Sequence, residues 1–259
     1  MNNAVLLLLM ISCSLPIFSW AQTSTENHND TINKVDPAGK KTGYWIEKQG
    51  EITYKGYYQD NNKVNNWIGF YPNNFIFKID YFNNGMKDGI SLQFDRRGKL
   101  IQFDQYSNGG LHGVSYDYGQ GSVSPQTEIN YKNGKKNGPL RQYYDNGKIQ
   151  EDAYYIDDKK DGVSRWYGKN GNLVAEYNYR NGGLDGIQKT FFDNDTIQTL
   201  STYINNQQTG DYKEFYRNGK AKISGKFVNS EKDGAWIEYD ELGKQVRITR
   251  YKNGTEVKK

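Results

Sequence analysis

Four basic side chains recur at intervals of 24 residues and are candidates for binding an anionic ligand. They are Arg141, Arg165, Lys189 and Lys213. If each occupies the same position on every second strand of a sheet, the four charges lie on one face at intervals of ~10 Å. Such a row can follow an anionic polymer or a layer of lipid headgroups. The alternative is that the cations face solvent, are balanced by nearby acids and keep a long sheet soluble.

Three tryptophans form a second candidate site, for the sugar rings of a glycan or of peptidoglycan. Trp67, Trp166 and Trp236 fall outside the regular aromatic positions of the chain. An indole exposed on a flat sheet offers an apolar surface on which a sugar ring can stack. The alternative is that the rings pack against neighbouring aromatic side chains and hold the sheet together.

No set of residues in the sequence is arranged for catalysis. His112 is near Ser115 and Asp117, a combination that suggests a general base, but it precedes a repeated glycine, where other copies carry Asp, Asn or Thr. A turn residue is therefore the simpler interpretation. The only other histidine is His28 and the only cysteine is Cys13, so neither a catalytic triad nor a zinc site can be assembled. We expect no enzyme activity, no catalytic residue, no metal and no cofactor.

A repeat of about 24 residues determines the elements that position these side chains. Glycines recur in steps of 24 or 25 residues, and Asn65 continues the same register. A fixed period of this length is typical of a repeat array. The repeated glycines are Gly89, Gly113, Gly138, Gly162, Gly186, Gly210 and Gly234.

One copy of the repeat has the pattern of a β-hairpin. Pro139–Asp145 and Lys148–Tyr155 have the length of strands, and Asn146-Gly147 between them predicts a two-residue turn with positive φ at both positions. Asp157–Gly162 forms the loop to the next copy. Hairpins joined at both ends make a meander, so we predict an all-β fold: an elongated, twisted, single-layer antiparallel sheet of stacked β-hairpins.

Two sets of aromatic residues follow the same period. A single sheet has no second layer, so large side chains that pack along its faces must supply the buried apolar area. The first set comes five residues after each glycine: Phe94, Tyr118, Tyr143, Tyr167, Phe191, Phe215 and Tyr239. The second set ends the other strand of each copy: Phe82, Tyr106, Tyr131, Tyr155, Tyr179, Tyr203, Phe227 and Tyr251.

The composition agrees with this fold and excludes other classes. The chain of 259 residues has 22 Tyr and 28 Gly but only 5 Pro, which favours β-hairpins over helices or disorder. The formal net charge of +4 is too small to require a partner, and we expect no nucleic acid to bind.

The N-terminus has the features of a secretory signal. Residues 1–21 carry no charged side chain, contain an apolar run too short to span a bilayer, and end in Ser19-Trp20-Ala21. We therefore predict a signal peptide at 1–21, a disordered lead-in at 22–40 and a repeat array at 41–259. Export to the periplasm, outer envelope or extracellular space follows from cleavage near Ala21. A lipoprotein anchored through Cys13 is the alternative.

The repeat resembles a known family. The pattern Tyr-x-Asn-Gly-x-x-x-Gly, then an aromatic residue, then Asn-Gly, is similar to the MORN repeat and more closely to its bacterial variant, which is found in YwqK-like antitoxins. In one copy the pattern comprises Tyr131, Asn133, Gly134, Gly138, Tyr143 or Tyr144, and Asn146-Gly147. The resemblance covers roughly residues 41–259. It implies an elongated sheet of stacked hairpins, a role in protein or membrane association, and no catalytic residues.

Three functions are compatible with these observations. The first is an exported, non-enzymatic scaffold that binds another protein or a component of the cell envelope. The second is an antitoxin or immunity protein that neutralises a partner toxin. The third is a glycan- or peptidoglycan-binding module. The expected partner is thus a protein or an envelope component, with anionic lipid or glycan as further candidates and no transmembrane segment in the mature chain.

Overall fold

The computed structural model describes residues 32–119 and 122–257. The predicted signal peptide, Cys13, His28 and the first part of the lead-in lie outside the described residues. The described residues form strands and turns without a helix. The strands are β1 (Gly43–Gln49), β2 (Ile52–Gln59), β3 (Asn62–Phe70), β4 (Ile76–Asn83), β5 (Met86–Phe94), β6 (Leu100–Ser107), β7 (Gly110–Leu111), β8 (Gly113–Asp117), β9 (Thr127–Lys132), β10 (Lys135–Tyr143), β11 (Ile149–Ile156), β12 (Lys159–Lys160), β13 (Gly162–Tyr167), β14 (Leu173–Arg180), β15 (Gly183–Leu184), β16 (Gly186–Phe191), β17 (Ile197–Ile204), β18 (Gln207–Phe215), β19 (Ala221–Val228), β20 (Glu231–Tyr239), β21 (Gln245–Lys252) and β22 (Thr255–Glu256).

All these strands join one antiparallel sheet, and each pairs with its neighbours along the chain. The short strands β7, β12 and β15 continue into β8, β13 and β16 after a single residue, so each couple acts as one strand of the meander. The predicted fold, one long open sheet of stacked hairpins, is confirmed.

The position of the tightest turn differs from the sequence-based prediction. Both residues have positive φ in Asn133-Gly134 (52° and 80°) and in Asp157-Asp158 (46° and 68°), as a two-residue hairpin turn requires. At Asn146-Gly147 only the glycine does, with φ of 78°. The prediction of a two-residue turn there was wrong, because three residues, 145–147, separate the two residues that close the hairpin. The Tyr144 amide donates to the Lys148 carbonyl at 2.8 Å, and the strand register shifts beside this turn.

The repeated glycines are not loop residues, because they form bulges inside the sheet. Their φ angles lie between 71° and 121°, a region that favours glycine. Each stands opposite an aromatic residue of the second set, as Gly138 stands opposite Tyr155. Asn65, with φ of 59°, takes the same position opposite Phe82, which confirms that it continues the register. Gly43 opposite Tyr58 adds a further copy at the N-terminal end.

The two faces of the sheet differ in burial. We define the inner face as the face of the second aromatic set, and the outer face as the opposite one. The strand registers place all the buried side chains on the inner face. They are the apolar Trp67, Leu140, Ala153, Ala175 and Trp236 and the polar Asp80, Ser91, Asp104, Glu151, Ser164, Gln188, Ser201 and Thr249.

Successive copies are also tied together at the turns. The hydroxyl of Tyr144 donates to the Tyr167 carbonyl at 2.8 Å, and Tyr216 and Tyr239 make the same bond at 2.8 Å. At the opposite end, the Gly182 amide donates to the Lys160 carbonyl at 2.8 Å. These bonds satisfy turn groups that the strand ladder leaves unpaired. Each copy therefore depends on the copy beside it, as in other repeat arrays.

The edge of β1 is covered by residues that the sequence analysis assigned to a disordered lead-in. The Asn33 amide donates to the Tyr44 carbonyl at 3.0 Å. The Ile46 amide donates to Asn33 Oδ1 at 2.8 Å, and Asn33 Nδ2 donates to the Ile46 carbonyl at 3.2 Å. For residues 32–40 the prediction of disorder is therefore corrected. One asparagine side chain satisfies backbone groups of an exposed strand, which protects the edge from pairing with other chains.

Candidate functional site

The four predicted cations lie in one row on the outer face. Arg141 is in β10, Arg165 in β13, Lys189 in β16 and Lys213 in β18. The register connects them through one residue of each intervening strand, in the order Arg141, Asp152, Arg165, Glu176, Lys189, Leu200 and Lys213. The alignment expected from the spacing of 24 residues is therefore present, but the strands between the cations contribute acids.

Because acidic residues lie between the cations, most of this row alternates in charge. Arg141 Nε lies 3.3 Å from Asp152 Oδ1, and Arg141 Nη1 lies 3.6 Å from Glu128 Oε1. Partial burial opposes the charge of Arg141, but these two carboxylates outweigh it and raise the pKa of the guanidinium. We name the alternating set, Glu128, Arg141, Asp152, Arg165, Glu176 and Lys189, the charge row.

The charge row continues at Glu176, which pairs with two cations. Arg165 Nε lies 3.1 Å from Glu176 Oε2, and Lys189 Nζ lies 3.3 Å from Glu176 Oε1. Lys213 differs, since its cross-strand neighbours are Leu200 and Ser224 and it forms no ion pair with any described residue. Three of the four predicted cations thus share their charge with acids, and the row is not a continuous strip of positive potential.

Two of the predicted tryptophans are buried in the inner face. Trp67 is 2% exposed, and its Nε1 donates to the Tyr57 carbonyl at 3.1 Å. The Lys63 ammonium lies 3.8 Å from the centre of this indole, a favourable cation–π distance. Trp236 is 6% exposed and stacks on Tyr212, with ring centres 5.5 Å apart. Neither indole presents a free face to a sugar.

Trp166 is also on the inner face, at a half-buried position of β13. Its cross-strand neighbours are Glu151 and Ala175. The Lys160 ammonium lies 5.1 Å from the centre of the indole and pairs with the Glu151 carboxylate. The structure does not bring the three tryptophans together, because they lie in β3, β13 and β20.

His112 is the single residue between β7 and β8, so it lies at a bulge of the sheet and not in a turn as the sequence predicted. Its ring Nδ1 lies 3.2 Å from Asn133 Oδ1. The Ser115 hydroxyl donates to Asp104 at 2.7 Å, and His112 takes no part in that bond. Within residues 32–119 and 122–257, no group of three or more His, Cys, Asp or Glu side chains is placed to hold a metal ion.

The outer face also carries an apolar surface that the sequence patterns did not predict. Five consecutive central positions of β3–β8 carry half-buried apolar side chains that the register places side by side. We name them the outer apolar patch: Ile68, Ile79, Leu92, Phe103 and Tyr116. Beside them, Tyr57, Tyr81 and Ile90 are 44%, 41% and 45% exposed.

A sequence signal for this patch did exist. Leu92 and Tyr116 occupy the slot three residues after the repeated glycine, the same slot that holds the cations in later copies. Ile68 has this position relative to Asn65. The same row of the outer face is therefore apolar in the N-terminal copies and charged in the central copies.

The comparisons with known proteins identify the repeat. Four consecutive stretches match the MORN repeat variant, at residues 136–157, 160–181, 184–205 and 208–229. No curated protein matches the chain. The described residues include no helix of the length and apolar character needed to cross a membrane. The four matches support a repeat-based binding scaffold.

Proposed function

We propose that this chain is an exported, non-enzymatic scaffold that binds another protein through the outer apolar patch. The observation that carries the proposal is the unbroken run from Ile68 to Tyr116 on a face that no second layer of described residues covers. Contiguous apolar surface is rare on a soluble monomer unless it contacts a partner. Export is proposed from the signal-like residues 1–21.

The chemistry around the patch supports a protein partner. The patch and its border contain aromatic and branched aliphatic side chains, which carry most of the binding energy when they fill complementary pockets. The tyrosines at 57 and 81 combine apolar rings with hydroxyl groups that can hydrogen-bond at the border of an interface. The charge row begins at Glu128, beside Tyr116, and supplies a polar rim on one side.

An antitoxin or immunity role is the same proposal with a toxin as the bound protein. It rests on the resemblance of the repeats to those of YwqK-like antitoxins. Rescue of growth when the chain is co-expressed with a toxin encoded beside it would support this narrower role. Failure of rescue would contradict the antitoxin role, whereas the broader scaffold proposal is tested by the substitutions in the outer apolar patch.

The glycan-binding alternative loses its original site. With Trp67 and Trp236 buried, an exposed row of indoles is not available for stacking. A glycan function therefore needs another surface.

A matched pair of substitutions tests the scaffold proposal. Leu92→Glu places a charge in the middle of the outer apolar patch, between Ile79 and Phe103. Leu200→Glu makes the same change in the same row but outside the patch, between Lys189 and Lys213, where a carboxylate is well tolerated. Both variants should fold, as judged by circular dichroism.

The readout is capture of a partner from native envelope extract, followed by measurement of its affinity for the purified chain. We expect one protein at near-equal stoichiometry, bound by the unchanged chain and by Leu200→Glu, and lost in Leu92→Glu. Equal capture by all three chains would contradict a role of the patch. Absence of any stoichiometric protein would contradict the scaffold function itself.

A further inference from the structure

A groove of about 370 Å³ crosses the inner face over β14, β16, β17 and β18. Tyr177 and Tyr212 form its two side walls, and Gln188 and Ser201 lie between them as its floor. Three strand spacings separate the walls, about 14 Å between backbones, which is roughly the width of two sugar rings. The outer apolar patch is on the opposite face and on other strands.

The groove exists because side-chain size alternates along the central row of the inner face. Ser201 and Tyr177 occupy equivalent positions, two residues before an aromatic of the second set. Gln188 and Tyr212 are equivalent in the same way, two residues after a repeated glycine. Two smaller side chains between two tyrosines leave a depression in a row that Leu140 and Trp236 fill elsewhere.

Both walls are aromatic, and one of them, Tyr212, is held in place by a neighbouring ring. Tyr212 stacks on Trp236 with ring centres 5.5 Å apart, and Trp236 lies in β20, on the side away from the groove. The opposite side of the Tyr212 ring therefore lines the groove. A flat ring held by its neighbour loses little conformational entropy when a ligand stacks on it.

Apart from Lys189, the polar side chains that line the groove are uncharged, and several lack a hydrogen-bond partner. Ser201 is 9% exposed, and its hydroxyl makes no hydrogen bond to any described residue. The side-chain amide of Gln208 and the Tyr203 hydroxyl also line the groove without a hydrogen bond to a described residue. The Ser201 hydroxyl lines the groove and is free to hydrogen-bond a molecule bound there.

The only ionisable cation that lines the groove does not direct its charge into it. Lys189 belongs to the outer face, where its ammonium pairs with Glu176 at 3.3 Å. A charged ligand would therefore find no counter-charge in the groove and would lose its hydration without compensation.

The geometry points to a neutral carbohydrate as the ligand of this groove. The apolar faces of sugar rings fit the two tyrosine walls, and sugar hydroxyls fit the hydroxyl and amide groups of the floor. Because the groove and the outer apolar patch lie on opposite faces, a glycan and a protein can bind at the same time. The inference does not depend on the proposed protein-binding function.

The repeat itself provides substitutions that preserve the fold. Tyr177→Ala removes one wall and reproduces Ala153, the equivalent residue of the preceding copy. Ser201→Tyr fills the floor and reproduces Tyr177. Tyr154→Ala is the matched control, since Tyr154 lies on the outer face and is 46% exposed. Circular dichroism and thermal unfolding check that all three variants fold.

The experiment is isothermal titration of the purified chain with four neutral hexasaccharides: cellohexaose, maltohexaose, mannohexaose and the hexamer of N-acetylglucosamine. At least one should bind, with roughly tenfold weaker affinity in Tyr177→Ala and Ser201→Tyr and unchanged affinity in Tyr154→Ala. The anionic hexamer of galacturonic acid should bind less well than the best neutral one.

Four results would overturn the inference. The first is that none of the four neutral hexasaccharides binds at millimolar concentration. The second is that both groove variants bind as tightly as the unchanged chain. The third is preference for the anionic hexamer, and the fourth is that an uncharged Ser- and Asn-rich peptide competes better than any sugar.

Discussion

Gly56 and Trp67 fit together across neighbouring strands: a Cβ atom on Gly56 would overlap the indole of Trp67. The same relationship joins Gly225 and Trp236 near the other end of the sheet. Neither glycine has a positive φ, so each is required by the space that the tryptophan occupies and not by its backbone conformation. Two of the three irregular tryptophans are thus explained by a glycine on the adjacent strand.

Gly56→Ala should destabilise the sheet by about 1–3 kcal/mol, because the added methyl group forces a side chain out of its packed position. Gly110→Ala is the control. Gly110 also lacks a positive φ, and a Cβ there would meet its nearest atom at an ordinary 3.7 Å. Urea unfolding measures both. Equal stability of the two variants would show that the contact with Trp67 is not the cause of the stability lost in Gly56→Ala.

Trp67→Phe and Trp236→Phe should lower the free energy of unfolding by different amounts. Trp67 Nε1 donates to the Tyr57 carbonyl, whereas Trp236 Nε1 is buried without a hydrogen-bond partner among the described residues. Trp67→Phe loses a hydrogen bond as well as apolar contact, so it should be more destabilising than Trp236→Phe by about 1 kcal/mol. Thermal unfolding of the two variants tests the order, and a larger loss for Trp236→Phe would contradict it.

Removal of the shared acid of the charge row should expose its cations. Glu176→Gln breaks contacts to both Arg165 and Lys189. Because Arg165 is 44% exposed, the stability lost should be only about 0.5–1 kcal/mol, and it should shrink in high salt. Retention on a heparin column should increase, since two cations become available to an anionic polymer.

The control for the charge row is Glu214→Gln, which removes an acid paired with Lys222 on β19 instead. This variant has the same change in net charge. If both variants gain the same retention, net charge and not the row explains the effect.

Stability should decrease between pH 10 and pH 12. Burial and, after it, the hydrogen bond and charge of Glu47 raise the pKa of Tyr58 from 10.0 to about 12. Burial and the carboxylate of Glu128 raise the pKa of Tyr143 to about 12. A pKa raised by folding gives stability that is present below the unfolded value, near 10, and is lost as pH rises through the folded value.

The variant Tyr58→Phe, Tyr143→Phe should therefore show a flatter decline over this interval, measured as the free energy of unfolding in urea. Tyr81→Phe is the control, since Tyr81 is 41% exposed and its hydroxyl makes no hydrogen bond to a described residue. A decline as steep in the double variant as in the control would contradict the assignment to these two hydroxyls.

The period of the sequence predicts the fold well, because one spacing fixes the strands, their order and their antiparallel pairing. It also places Arg141, Arg165 and Lys189 in one row. The period does not predict which residues of the intervening strands lie between these cations. Their identity depends on how each hairpin closes, and the extra residue at Asn146-Gly147 shifts the register by one. The acids Asp152 and Glu176 become partners only once this shift is known.

Burial of the tryptophans was also beyond the sequence analysis. An irregular aromatic residue on a repeat surface is compatible with a binding site or with packing, and residue type does not separate the two. The deciding feature is a small residue on the next strand, as Gly56 is for Trp67. A search for glycines at cross-strand positions would have found it, but only with the correct register.

The bonds between successive copies have a consequence for how the protein is made. Tyr144 reaches the Tyr167 carbonyl and Gly182 reaches the Lys160 carbonyl, so the partners lie within one period of each other along the chain. Each newly emerged hairpin already has its docking surface in the hairpin before it, and no later segment of the chain is needed to complete that surface. The sheet can therefore grow as the chain emerges on the side of the membrane where it folds, from its first strand to its last, with at most one incomplete edge exposed.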